Sequence, residues 1–143
     1  MKSLPESTLA TYRKAVYHIF GEPDIDMEID AKDECLKTLL AQHGVRSAVF
    51  VTAFNPFGEM LDAGVNATRQ QRLGAELERM NLRTLSGIGF DPDEAAPHSE
   101  ASLLVLGASH AVADVLLQDF EQNAVVIVDE SGVPQLLLHP KFR

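Results

Sequence analysis

The stretch VRSAVFVTAF, residues 45–54, predicts a β-strand, and it is the clearest strand signal in the chain. The strand should end at Asn55-Pro56, because proline cannot donate to a strand ladder and restricts the backbone of the residue before it. A helix is predicted at 63–80, where apolar residues recur at helical spacing. This strand and this helix begin an order of elements that strongly limits the possible folds.

The elements after that helix are predicted from apolar runs separated by turn residues. They are a strand at 82–90, in which Gly87 and Gly89 suggest a bulge, a strand at 101–107, a helix at 109–121, a strand at 124–130 and a last strand, QLLL, after the turn SGVP. The order strand, helix, strand, strand, helix, strand is that of a ferredoxin-like β-α-β-β-α-β unit. We therefore predict an α+β fold with a mixed or antiparallel sheet and this unit as its core.

Residues 1–45 are predicted to form an N-terminal helix-strand-helix extension of that core. Ser3 and Glu6 have capping-box spacing, and helical periodicity continues from there to about Phe20. A short strand at 24–29 and a helix at 31–43 follow. With 143 residues, the chain is expected to form one domain, in which residues 46–138 contain the core and the final hairpin strand.

Charge and composition narrow the class of protein. The formal net charge of −9 argues against nucleic acid as a partner, because the long-range field repels polyanions. No apolar run is long enough for a membrane span or a signal peptide, so a cytoplasmic location is expected. The single cysteine, Cys35, excludes an internal disulfide and is expected to be buried on a helix. The histidines lack metal-ligand spacing, and GIG at 87–89 is too short for a dinucleotide fingerprint, so neither a metal nor a cofactor is expected.

The predicted topology brings segments that are distant in sequence to one edge of the sheet. Polar residues at these segment ends are the candidate ligand-binding residues: Asn55, Asn66, Arg69, Glu100, Ser102, Gln122 and Asn123. A half-buried Arg69 needs a carboxylate partner, for which Glu100 is the first choice and Asp91 the second. A purely structural role is the alternative, because turns and helix ends use the same side chains.

Two functions from different classes fit this edge. An arginine beside amide side chains suits a small binding or regulatory domain that holds a polar or anionic ligand, or a partner's carboxylate. The alternative is a small hydrolase or transferase in which Glu100 acts as acid or base and His98 is the second catalytic candidate. A homodimer through the exposed edge at QLLLHP is a further expectation.

Several short stretches together resemble a bacterial family catalogued as domain of unknown function 3293. They are TAFNP, NATR, GFDPD, EASLLVLG and FEQNAVV, and their order and spacing carry the resemblance over about residues 47–128. The family pattern has Glu-Asn where this chain has Val65-Asn66, and Glu-Pro-Ser where it has Glu100-Ala101-Ser102. The resemblance implies the same set of polar residues but no particular activity.

Overall fold

The computed structural model describes residues 2–94 and 99–143, which form a sheet with helices on both faces. The strands are β1 (Val16–Ile19), β2 (Ile25–Met27), β3 (Ser47–Val51), β4 (Thr84–Phe90), β5 (Glu100–Leu106), β6 (Ala124–Asp129) and β7 (Gln135–Leu138). They build one sheet of seven strands in the order β2-β1-β4-β5-β3-β6-β7, and every pairing is antiparallel. The predicted α+β class with an antiparallel sheet is confirmed.

Four α-helices and two short 3₁₀ helices accompany the sheet in the described part of the chain. The α-helices are α1 (Glu6–Lys14), α2 (Glu34–Gln42), α3 (Ala63–Arg79) and α4 (His110–Asp119), and the 3₁₀ helices are Pro56–Gly58 and Pro140–Phe142. Side chains of Asp33, Asp62 and Ser109 cap α2, α3 and α4 by accepting backbone N–H bonds. Within the described ranges, no helix combines the length and the apolar character needed to cross a bilayer.

Strand β3 is buried on both faces of the sheet, which explains its nearly continuous apolar sequence. Val49 and Val51 pack with residues of α3 and α4, whereas Ala48 and Phe50 pack on the opposite face with residues of α2. Leu137 of β7 also lies in the cluster with α4 and is only 9 % exposed. A charge at this position would therefore disturb the core.

The N-terminal extension differs from the predicted helix-strand-helix. Helix α1 ends at Lys14 and buries none of its residues, and Pro5, not Ser3, occupies its N-cap position. Residues Val16–Ile19 form a strand instead of the end of a helix, and this strand pairs with both β2 and β4. The apolar spacing is compatible with a helix. The β-branched and aromatic residues of Val16–Ile19 nevertheless form a strand, because pairing with the edge of the sheet supplies more stabilising contacts than another helical turn would.

Helix α2 also departs from prediction at its start. It begins at Glu34 after the Asp33 cap, whereas Asp30 lies before the helix with φ of 65°. Cys35 is exposed, so its predicted burial is wrong. The buried stripe of α2 consists of Leu36 and Leu40, and Cys35 lies one position away from it.

Gly87 and Gly89 are part of a regular ladder rather than a bulge, because β4 pairs with β5 without interruption from Thr84 to Gly89. A Cβ atom on Gly87 would lie 2.4 Å from the backbone oxygen of His18 and 2.7 Å from the Phe50 ring. Glycine is therefore required at this position so that β1 and the Phe50 ring can approach the strand.

We expect Gly87→Ala to lower the free energy of unfolding by about 2 kcal/mol or more, because the new methyl group overlaps backbone and ring atoms that cannot move freely. Urea titration measures this. Gly74→Ala is the control, since a Cβ atom there meets nothing within 4 Å. Replacing this helical glycine should raise stability by up to about 1 kcal/mol. A Gly87→Ala protein as stable as the wild type would contradict the steric account.

Candidate functional site

The backbone that follows β3 leaves the sheet and is held by side chains. Gln70 Oε1 accepts from the Ala53 N–H at 2.9 Å, and Arg69 Nε donates to the Ala53 carbonyl at 2.7 Å. Gln122 Nε2 donates to the Phe54 carbonyl at 3.0 Å. Side chains of α3, and that of Gln122 after α4, thus replace the hydrogen bonds that a neighbouring strand would supply.

Asn55 and Asn66 form a reciprocal amide pair at the end of this segment. Asn66 Oδ1 accepts from the Asn55 N–H, and Asn66 Nδ2 donates to Asn55 Oδ1, both at 2.9 Å. The Leu61 N–H also donates to Asn55 Oδ1, at 3.0 Å. Asn55 has a left-handed backbone with φ of 50° and ψ of 70°, which asparagine tolerates better than most residues. The pair fixes the turn between β3 and α3.

Glu100 at the start of β5 is the charged end of this network. Asn55 Nδ2 donates to Glu100 Oε2 at 2.8 Å. Burial raises the pKa of the Glu100 carboxyl, and the hydrogen bond from Asn55 opposes that shift only in part. A raised pKa means that the surroundings penalise the charged form of this carboxyl.

The predicted pairing of Arg69 with Glu100 or Asp91 is wrong. Arg69 Nη2 donates to the Phe120 carbonyl at 2.7 Å, Nη1 lies 3.5 Å from a Glu121 carboxylate oxygen, and Nε bonds the Ala53 carbonyl. The last carbonyls of α4 carry partial negative charge and attract a cation. Arg69 therefore ties the end of β3 to the end of α4, and all three of its nitrogens are engaged.

A cavity of about 720 Å³ lies next to the amide pair. Six of the seven predicted ligand-binding residues line it, and Arg69 does not: the six are Asn55, Asn66, Glu100, Ser102, Gln122 and Asn123. Its apolar wall is formed by Tyr12, Tyr17, Phe50, Phe54, Met60, Leu61 and Leu136, among others. The predicted convergence of these polar residues is therefore observed, but around a largely apolar space.

Gly89 of β4 lines the cavity and lies between two other cavity-lining residues, Tyr17 and Glu100, in the sheet. It pairs with Glu100 on one side and with Tyr17 on the other. A Cβ atom on Gly89 would meet Tyr17 ring atoms at 3.7 and 3.9 Å and a Phe50 ring atom at 4.0 Å, which are ordinary contacts. Unlike Gly87, this glycine leaves space that a larger side chain could occupy.

Ser102 and Asn123, two further predicted ligand-binding residues, donate hydrogen bonds to other groups of the protein. Ser102 is 4 % exposed, and its hydroxyl donates to the Glu100 backbone carbonyl at 3.0 Å. Asn123 Nδ2 donates to the Tyr12 hydroxyl at 3.0 Å. His98, the second catalytic candidate, lies outside the described residues. Within those residues, no group of three or more His, Cys, Asp or Glu side chains is placed to hold a metal ion.

Two tyrosines of the cavity wall were not predicted from the sequence. The Tyr17 hydroxyl donates to the Tyr12 carbonyl at 2.6 Å, and the Tyr17 ring meets Phe50 edge to face at 5.6 Å. Burial raises the pKa of both tyrosine hydroxyls. Tyr17 was missed because the helical periodicity of the sequence extends over residues 16–19, although the pattern VYHI also fits a strand.

Comparison with known proteins identifies the family of the chain. The family model "Protein of unknown function (DUF3293)" matches residues 51–125, which are more than half of the chain. The chain belongs to the DUF3293 family. The resemblance stated from the sequence is confirmed, and the matched region of this DUF3293 chain contains Asn55, Asn66, Arg69 and Glu100. No curated protein and no solved structure matches the chain significantly.

Glu100→Gln should stabilise this DUF3293 protein at neutral pH. Because burial raises the pKa of Glu100 in the folded state, that state binds more protons than the unfolded state between the ordinary and the raised pKa. Wild-type stability therefore falls as the pH rises through this window, whereas the glutamine side chain of the variant keeps the Asn55 bond without a charge. The gain over wild type should shrink below a pH of about 4. Urea unfolding across pH measures it, with the exposed Glu59→Gln as control.

Arg69→Met should lower the free energy of unfolding by about 3 kcal/mol, because it leaves the buried Ala53 carbonyl without a donor and the Phe120 carbonyl with Gln122 Nε2 alone. The side chain of Arg69 is 13 % exposed, whereas that of Arg79 is 74 % exposed. Arg79→Met on the same helix is therefore the control and should change the unfolding midpoint little. Equal midpoints for the two variants would show that Arg69 does not hold the segment after β3.

Proposed function

We propose that this domain binds a small molecule in the cavity beside Asn55 and that Glu100 is the main polar anchor for that ligand. The main support for the proposal is the size of the cavity together with the kinds of residue that line it. A volume of about 720 Å³ is within the range of small-molecule sites, which are mostly apolar with a few polar groups at fixed positions.

The rigidity of the polar groups supports the proposal. Asn55 is held by Asn66 and by the Leu61 N–H, and it in turn orients the Glu100 carboxylate. A site that is organised before binding loses less entropy when the ligand arrives. The second carboxylate oxygen of Glu100, Oε1, has no hydrogen-bond partner among the described residues, so it can accept from a ligand.

The expected role of Arg69 in holding an anion is not part of the proposal. Its nitrogens bond two backbone carbonyls and lie near Glu121, and its side chain does not line the cavity. The binding function therefore rests on the carboxylate and amide groups, and Arg69 supports them by fixing the backbone.

The test is a small-molecule screen by ligand-observed NMR with a variant that fills the cavity. Gly89→Leu places a side chain between Tyr17 and Glu100, so ligands that bind the wild type there should fail to bind this variant. Ser86→Leu is the matched control, because Ser86 lies on the same strand, is exposed and does not line the cavity. Hits that bind both variants equally, with none lost in Gly89→Leu, would contradict the proposal.

Acid or base catalysis by Glu100 is a second candidate, favoured by the raised pKa of this half-buried carboxyl. The two functions differ in the expected behaviour of Glu100→Gln. Cavity ligands are incubated with wild type and with this variant, and their conversion is followed by mass spectrometry. Catalysis would be established if the wild type converts a ligand and Glu100→Gln binds the same ligand without converting it.

We also infer that β3, α3, β4, β5, α4 and β6 form a ferredoxin-like β-α-β-β-α-β unit. The order β4-β5-β3-β6 within the antiparallel sheet supports this inference. The packing of α3 and α4 into one apolar cluster on one face of the sheet supports it as well.

A further inference from the structure

The geometry points to an organic cation as the ligand of this cavity, namely a protonated amine attached to an apolar or aromatic group. The inference rests on the proposed small-molecule function and specifies the chemistry of its ligand. It is carried by the charges that line the cavity, by the partners of Glu100 and by the aromatic rings of the wall.

The charged side chains in the cavity lining are all acidic within residues 2–94 and 99–143: Asp91, Glu94 and Glu100. No lysine, arginine or histidine from these ranges lines the space. The formal net charge of −9 adds a long-range field that attracts cations toward the protein. An anionic ligand would meet repulsion both at a distance and inside the cavity.

Glu100 differs from Asp91 in its partners. Lys14 Nζ lies 3.4 Å from an Asp91 carboxylate oxygen, so that carboxylate already has a cation beside it. The described residues give the Glu100 side chain only a neutral donor, Asn55. A half-buried carboxylate without a counter-charge is unfavourable, and an ammonium group that donates to Oε1 would supply both the charge and the missing hydrogen bond.

The wall suits a cation that carries an apolar body. Five phenylalanine and tyrosine rings from the described part of the chain line the cavity, and these belong to Tyr12, Tyr17, Phe50, Phe54 and Phe90. Two of them, Tyr17 and Phe50, are packed edge to face with an interplanar angle of 75°. Aromatic faces attract ammonium groups through their quadrupole and also contact the hydrocarbon part of a ligand. Carboxylate and rings together therefore favour amines over neutral molecules of equal shape.

The experiment compares three probes with the same phenethyl skeleton: 2-phenylethylamine, 2-phenylethanol and phenylacetate. Affinities are measured at pH 7.5 by protein-observed NMR titration of the wild type, Glu100→Gln, Gly89→Leu and Ser86→Leu. We expect the amine to bind the wild type about tenfold more tightly than the alcohol, and the carboxylate most weakly. Glu100→Gln should reduce amine affinity about tenfold and leave alcohol affinity within about twofold.

The variants separate failure of this inference from failure of the proposed function. If the alcohol or the carboxylate binds the wild type as tightly as the amine, and Gly89→Leu abolishes that binding, the cavity is a ligand site but the cation preference is refuted. Amine binding that Glu100→Gln leaves unchanged would also refute it. If Gly89→Leu weakens no probe and no hit of the wider screen, both the cation preference and the proposed function are refuted.

Discussion

The backbone after β3 must satisfy its hydrogen bonds without a neighbouring strand, and much of the rest of the structure depends on how this is done. A buried N–H or carbonyl without a partner costs about 1–3 kcal/mol, so several such groups together would be intolerable in a domain of this size. Asn66, Arg69 and Gln70 on α3, with Gln122 after α4, supply the partners. Because these side chains come from the first half of α3 and from the residue that follows α4, the requirement also fixes where α3 begins and where α4 ends relative to the sheet.

This structural requirement sets the electrostatics of the cavity. Arg69 is the cation that the sequence places near the edge, but the carbonyls of Ala53 and Phe120 engage it. Among the described residues, the amide of Asn55 is then the side-chain donor to the Glu100 carboxylate, and an amide donates a hydrogen bond without supplying a positive charge. The negative charge of the cavity lining thus follows from the hydrogen bonds that the backbone requires. These bonds hold Arg69 away from Glu100, the carboxylate that it was expected to neutralise.

Elements with one strong periodic signal were predictable from the sequence, and so was the convergence of polar residues at one edge. Leu73 and Leu77, two of the apolar residues at helical spacing on α3, are buried, whereas Met80 is half-buried. Strand β1 was missed because its apolar residues satisfy both helical spacing and strand alternation, and the pairing with β2 and β4 decides between them. The partner of Arg69 was missed for a different reason: charge complementarity in a sequence suggests carboxylates, whereas backbone carbonyls at a helix end leave no trace in residue types.

The two glycines of β4 distinguish what the fold requires from what it leaves open. Gly87 is imposed by packing, since any side chain would overlap β1 and the Phe50 ring. Gly89 is not imposed in this way, because a Cβ atom there would make only ordinary contacts. Glycine within a strand weakens it, and a larger residue at this position would fill apolar space and bury more surface. The open volume at Gly89, directly across the ladder from the half-buried carboxyl of Glu100, therefore costs stability that the packing of this sheet does not demand. This is the pattern expected of a binding site.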